Sequence, residues 1–193
     1  IFSVYDGHAS PPFLIGEWGN RIFFYSRLEH NPAEKWYAVF CPDRRFVRGR
    51  PHVVAITFDG REKALYIDGE LIEKRKTLAL QDAATRVRGR VLLGNSPYAA
   101  HGWMGEIKGL AIYDRTLDPQ QIMDHTVTIL QDGMRSLAGV AGLKALYAFE
   151  EGSGPRTVNI IGNGPDILLP KQCGAFKDVF LHRQATNMRV GAG

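Results

Sequence analysis

Cysteine is scarce, with two in 193 residues, and Cys41 and Cys173 lie too far apart to form a Cys-x-x-Cys pair. That spacing removes thioredoxin-like redox chemistry and cysteine-based zinc sites, and leaves open one long-range disulfide. The six histidines show neither His-x-His nor His-Glu-x-x-His spacing, and the chain has no Walker loop and no Gly-x-Ser-x-Gly elbow. Gly152-Ser153-Gly154 and Gly162-Asn163-Gly164 match phosphate cradles only in composition and read as turns. Long apolar runs are missing too. The longest, residues 137–149, is interrupted by glycines and Lys144 and falls short of the ~20 residues a membrane-spanning helix needs. No charged-then-apolar leader follows Ile1, so the sequence reads as a piece processed or cut from a longer protein.

An excess of one charge sign is also lacking: 24 Lys and Arg against 20 Asp and Glu leave a net charge of +4. With 45% hydrophobic and 23% charged residues, the composition is that of one ordinary globular domain, neither disordered nor a coiled coil. The basic residues are nevertheless clustered, with Arg44, Arg45, Arg48 and Arg50 in one run and Arg86, Arg88 and Arg90 in another. Neither run carries interleaved aromatics or a recognition-helix pattern, so nucleic acid is not an expected partner. The runs read as solvated strand ends and turns, a surface that an anionic lipid or glycan would also favour.

What is present is a two-residue period, from residue 1 to about 114, broken at short intervals by turn residues. In the segment Arg21 to Leu28, Ile22, Phe24 and Leu28 fall on one face and Phe23 and Tyr25 on the other, as in a strand packed between two layers. Residues 52–72 read as three strands joined by Asp59-Gly60 and Asp68-Gly69, because Asp-Gly supplies the positive φ that tight hairpins require. Further strands are expected at 1–5, 12–18, 36–40, 90–95 and 106–114, each bounded by Gly, Pro, Asn or Asp, and another at 143–152. Many short strands indicate a sandwich or barrel.

One helix is expected from 119 to 132. Asp118 is its N-cap, Pro119 its first residue, Gln121 the partner in a capping box, and Gly133 its stop. Met123, Val127 and Leu130 follow a three-to-four spacing, which predicts one apolar stripe laid on the sheet, with His125 near its edge. The apolar piece Ile167-Leu168-Leu169-Pro170 reads as part of a closing loop, and residues 184–193 as a tail or linker.

Two stretches carry a longer pattern: His52 to Leu71 followed by Leu92-Leu93-Gly94-Asn95, and Trp103 to Ile122, which contains Gly105-Glu106, Tyr113-Asp114-Arg115 and Leu117. Together they resemble the laminin-G-like members of the concanavalin A-like superfamily. The resemblance implies an all-β fold, a two-sheet antiparallel concanavalin A-like jelly-roll sandwich with one short capped helix, over residues 1–183. A third stretch, Ala145 to Pro170, resembles the segment that usually opens such a domain, yet comes last. Either residues 143–169 are a circularly permuted opening strand and loop, with Leu146 to Glu150 beside the strand at 106–114, or they begin a second, truncated repeat. The first is preferred, because an unpaired strand would expose Leu146, Tyr147 and Phe149. This arrangement is similar to the soluble part of bacterial VanZ-like membrane proteins. That likeness implies an extracytoplasmic setting, with any membrane contact made through flanking segments.

The same superfamily contains glycan hydrolases whose active strand bears alternating carboxylates, spaced so that two of them face one side of the sheet. No such strand occurs. Glu150 and Glu151 are adjacent and face opposite ways, and Glu106 has no acidic neighbour on its face, so no catalytic residue and no enzymatic activity are expected. A calcium site would draw on Asp6, Asp43, Asp59, Asp68 or Asp114, but Asp59 and Asp68 are explained as turn residues and Asp114 with Arg115 as a structural pair. No cofactor is expected beyond that calcium option.

For sugar recognition the physics asks for an aromatic ring over a pyranose C–H face beside groups that read hydroxyls. The loop containing Asn95, Tyr98, His101 and Trp103 offers both, with Tyr98 and His101 the better ligands, since the base rate for large aromatics favours a structural Trp103. Trp18 and Trp36 flank turns and read as either core or platform. The expected function is non-catalytic recognition of a glycan or cell-envelope component, and the alternative is a protein-interaction or spacer module.

Overall fold

The computed structural model describes residues 1–8, 11–18, 21–26, 39–40, 47, 49–76, 90–94, 103–162 and 164–168, with the backbone alone at 39–40. Among them are twelve strands and one α-helix: β1 (Phe2–Tyr5), β2 (Phe13–Trp18), β3 (Arg21–Tyr25), β4 (Val39–Phe40), β5 (Val54–Phe58), β6 (Glu62–Ile67), β7 (Glu70–Lys76), β8 (Arg90–Leu93), β9 (Leu110–Tyr113), α1 (Pro119–Asp132), β10 (Leu143–Tyr147), β11 (Arg156–Thr157) and β12 (Ile167–Leu168). The pairs β2–β3, β3–β4, β5–β6, β6–β7, β9–β10 and β11–β12 are antiparallel. The architecture is therefore antiparallel all-β with one helix. The chain falls into two compact units, one of Ile1–Ser3, Arg90–Arg115 and the residues from Thr128 on, the other of Val4–Gly89 and Thr116–Val127.

In the second unit, β6 is the central strand of β5-β6-β7, and Lys63 to Ile67 are all buried. A strand buried on both faces needs apolar residues at consecutive positions, which Ala64, Leu65, Tyr66 and Ile67 supply. Its turn to β7 has both central residues at positive φ, Asp68 at 53° and Gly69 at 83°, the geometry that matches strand twist. The β5–β6 connection differs from the expected Asp-Gly hairpin, because only Gly60 has positive φ. Asp59 instead caps the turn with its carboxylate, accepting the Arg61 N–H at 2.7 Å and the Glu62 N–H at 2.6 Å. Across β2 and β3, Ile22 and Phe24 are buried while Phe23 and Tyr25 are half-buried, so the two-face reading of Arg21 to Tyr25 holds. Leu28 lies outside the described residues. Phe13 meets Phe24 edge to face at 4.7 Å.

Helix α1 starts as expected. The Asp118 carboxylate accepts the Gln121 N–H at 2.8 Å, and the Gln121 side chain accepts the Asp118 N–H at 3.1 Å. At its end the Gly133 N–H reaches Ile129 O. The expected stripe is wrong, however: Met123, Val127 and Leu130 are 36%, 43% and 58% exposed, and the buried residues are Ile122 and Thr126. Thr126 tolerates burial because its hydroxyl donates to Ile122 O at 2.8 Å, which satisfies the polar atom inside the helix.

In the first unit, Leu93, Ala145, Tyr147 and Ile167 form a buried cluster on which Phe2, Val91, Ile107, Leu110, Ile112 and Phe149 pack. β10 pairs with β9, Leu146 opposite Ala111 and Tyr147 opposite Leu110. The strand begins at the expected Leu143 but stops early, at Tyr147, because Phe149 turns out of it with φ 53°. The ladder also skips at Lys144. The closing segment read as loop contains a short ladder, Thr157 opposite Ile167. Asn159 ties it to β10: its Oδ1 accepts the Leu146 N–H at 3.0 Å, while Ile160 N–H donates to Leu146 O at 2.9 Å.

Candidate functional site

Of the four expected ligand residues, Asn95, Tyr98 and His101 lie outside the described residues, as do Trp36, Cys41, Asp43 and Cys173. Trp103 is described. Its N–H donates to Gly94 O at 2.9 Å, which joins the residue that follows β8 to Trp103. The half-buried indole lies across Gly105, where a Cβ would fall inside the ring's van der Waals envelope. Glycine at 105 is thus what lets the ring lie there.

The aspartates considered for calcium each have a local partner. Asp6 accepts the His8 N–H and pairs with its ring. Asp59 caps its turn, and those backbone donors hold its carboxyl below the usual range. Asp68 accepts the Val53 N–H at 2.9 Å and faces His52 Nδ1 at 2.8 Å. Asp114 pairs with Lys144 at 2.8 Å rather than with the expected Arg115. The hydrogen bond from Lys144 holds the Asp114 carboxyl low, and the Arg115 side chain lies beside Gly142 instead. Lys144 can reach Asp114 because it sits where the β9–β10 register skips. Among the described residues no three His, Cys, Asp or Glu side chains converge as a metal site.

The carboxylates near the closing loop are likewise engaged. Glu150 pairs with Arg135 at 2.6 Å. Glu151 accepts the Thr157 hydroxyl at 2.6 Å and the Val158 N–H at 2.8 Å. Burial pushes the Glu151 carboxyl up, but those donors together outweigh it and the net shift is downward. Glu106 faces Lys108 at 3.5 Å. These groups hold loops in place, and none forms a carboxyl pair with another.

One feature escaped the sequence reading and another was left open by it. Lys63 is 2% exposed, and its Nζ stands 5.4 Å from the Phe24 ring centroid. Trp18, left open as core or platform, is 80% exposed at the end of β2, directly opposite exposed Arg21 on β3. The signal for Trp18 was its place beside Gly19-Asn20, where a side chain at the end of a hairpin strand outruns the packed layer.

A laminin-G family model, described as the concanavalin A-like lectin/glucanases superfamily, matches residues 5–123, more than half of the chain. No curated protein matches it. Among solved structures, the chain is similar to a 2.1 Å crystal structure of residues 221–444 of an S-layer domain-containing protein from Clostridium thermocellum ATCC 27405. The two are 23% identical with a TM-score of 0.34, over 55% of this chain and 51% of that one, so this chain spans about half the length of that structure. Among the described residues no helix is long and apolar enough to cross a membrane.

Proposed function

Since the chain belongs to the concanavalin A-like lectin/glucanase superfamily, we propose that it is a non-catalytic recognition domain that binds a glycan or cell-envelope component outside the cytoplasm. The observation that carries this reading is the Trp103 N–H to Gly94 O hydrogen bond, which joins the two residues flanking positions 95–102. Asn95, Tyr98 and His101 fall in sequence between the two residues of that bond, and the Trp103 indole lies across Gly105. In this reading Tyr98 covers the C–H face of a pyranose, His101 and Asn95 read hydroxyls, and Trp103 orients the loop. Residues 1–183 act as the binding domain, with 143–169 a permuted opening strand and loop and 184–193 a tail or linker.

The test is a glycan-array screen of the protein with and without calcium, followed by titration of the best ligand. Saturable binding that Tyr98→Ala or His101→Ala weakens about tenfold, a loss of ~1.4 kcal/mol, is the expected result. Calcium dependence would add loop aspartates to the ligand set. A blank array would remove the glycan reading in favour of the protein-interaction or spacer module.

A further inference from the structure

The β2–β3 hairpin carries a surface that the preceding proposal does not use. Their register sets Leu14 opposite Tyr25, Gly16 opposite Phe23 and Trp18 opposite Arg21. Because side chains alternate along a strand, these six share the face opposite Ile22 and Phe24, which are buried. Phe23 lies across Gly16, where a Cβ would collide with its ring. The face thus rises from half-buried Tyr25 and Phe23 to Trp18, which stands clear.

A tryptophan this exposed runs against the burial of large aromatics, and its neighbour narrows what it serves. Arg21 is exposed, and among the described residues no ion pair is recorded for it, whereas Lys74, Arg75, Lys108, Arg135, Lys144 and Arg156 each have a carboxylate partner. Trp18 is also the one large exposed apolar side chain of the hairpin among the described residues. A protein interface needs on the order of 800 Å² per partner around such an anchor, and a lone indole beside a guanidinium falls far short. It does match one sugar ring: the indole covers the C–H face, and the guanidinium takes a carboxylate or phosphate in bidentate fashion.

We propose that Trp18 and Arg21 form a binding site for an acidic pyranose, one bearing a carboxylate or phosphate. The proposal rests on the glycan reading above and adds a second subsite with a charge preference. The net charge of +4 favours the same class of ligand.

The experiment prints uronate-, sialate- and phosphate-bearing oligosaccharides beside neutral glycans on one array, then titrates the best acidic ligand and its neutral counterpart into the protein. The variants are Trp18→Ala, Trp18→Phe, Arg21→Gln and Tyr98→Ala. The exposure of Trp18 means that Trp18→Ala should leave the melting temperature unchanged. The expected result is preference for the acidic ligand, a loss of about tenfold or more in Trp18→Ala, and partial retention in Trp18→Phe. Arg21→Gln should erase the acidic preference and flatten the salt dependence. Glycan binding that ignores Trp18→Ala and falls in Tyr98→Ala overturns this site and leaves the glycan reading standing. Equal binding of acidic and neutral ligands overturns the charge preference. No glycan binding at all overturns both, and loss of a protein association in Trp18→Ala on that background assigns the indole to a protein instead.

Discussion

The side-chain amide of Asn159 does the work of a strand neighbour, accepting the Leu146 N–H where β10 needs a partner on that side. It is buried, and its Nδ2 has no partner among the described residues. A Cβ on Gly164 would sit 2.6 Å from that nitrogen, so the glycine leaves room for the amide. Asn159→Ala should strand a buried N–H and cost about 1–3 kcal/mol, read as a shift in the denaturant midpoint with an unchanged slope. The Asn-rich closing loop was legible as turns, but not that one amide would brace a strand, since nothing local distinguishes Asn159 from Asn163. Lys63 was illegible for a related reason. A lysine two residues after a turn normally reads as solvated, and only the approach of Phe24 from another strand shows where its charge sits.

At the scale of the element, strands and caps were readable because their causes are local. Asp-Gly at 68–69 and Asp-Pro at 118–119 act through φ and through hydrogen bonds to residues next in sequence. The buried face of α1 depends on what lies under it, and Thr126 ranks as polar on any hydropathy pattern. The spacing therefore pointed to Met123, Val127 and Leu130, while burial selected Ile122 and Thr126. Met123 keeps a part in the packing, since a Cβ on Gly69 would come 2.7 Å from its sulfur. Ile122→Ala should cost about 2–5 kcal/mol, and Leu130→Ala should change stability by no more than about 0.5 kcal/mol. Urea unfolding of the two variants checks this, and equal losses would restore the predicted stripe. Of the candidate site, the sequence named the Trp103 loop but passed over the Trp18–Arg21 pair, because pairing across strands is visible only once the register is known.

The response of the whole molecule to pH follows from groups whose folded environment favours one protonation state. Glu151, Asp59 and Asp114 have lowered values, so their contribution is present above the unfolded carboxyl range and is lost as pH falls through the folded values. Asp59 and Asp114 stand in water, where salt screens them, which leaves Glu151 as the main acid-sensitive group. On the alkaline side, burial raises Tyr147 and Tyr113, and the Glu62 hydrogen bond raises Lys74. Their contribution is present below the unfolded values of 10.0 and 10.5 and is lost as pH climbs through the folded ones. Tyr147 matters most, because its hydroxyl donates to Pro165 O at 2.6 Å and a phenolate has no proton to give. Melting temperature should therefore be flat from about pH 5 to about pH 9 and fall on either side. Glu151→Gln should flatten the acid limb and Tyr147→Phe the alkaline limb, each leaving the other limb intact, because the two side chains bind different segments of the closing loop, 157–158 and 165. Calorimetric scans from pH 3 to pH 11 test this, and limbs that keep their slopes in both variants would place the titrating groups elsewhere in the molecule.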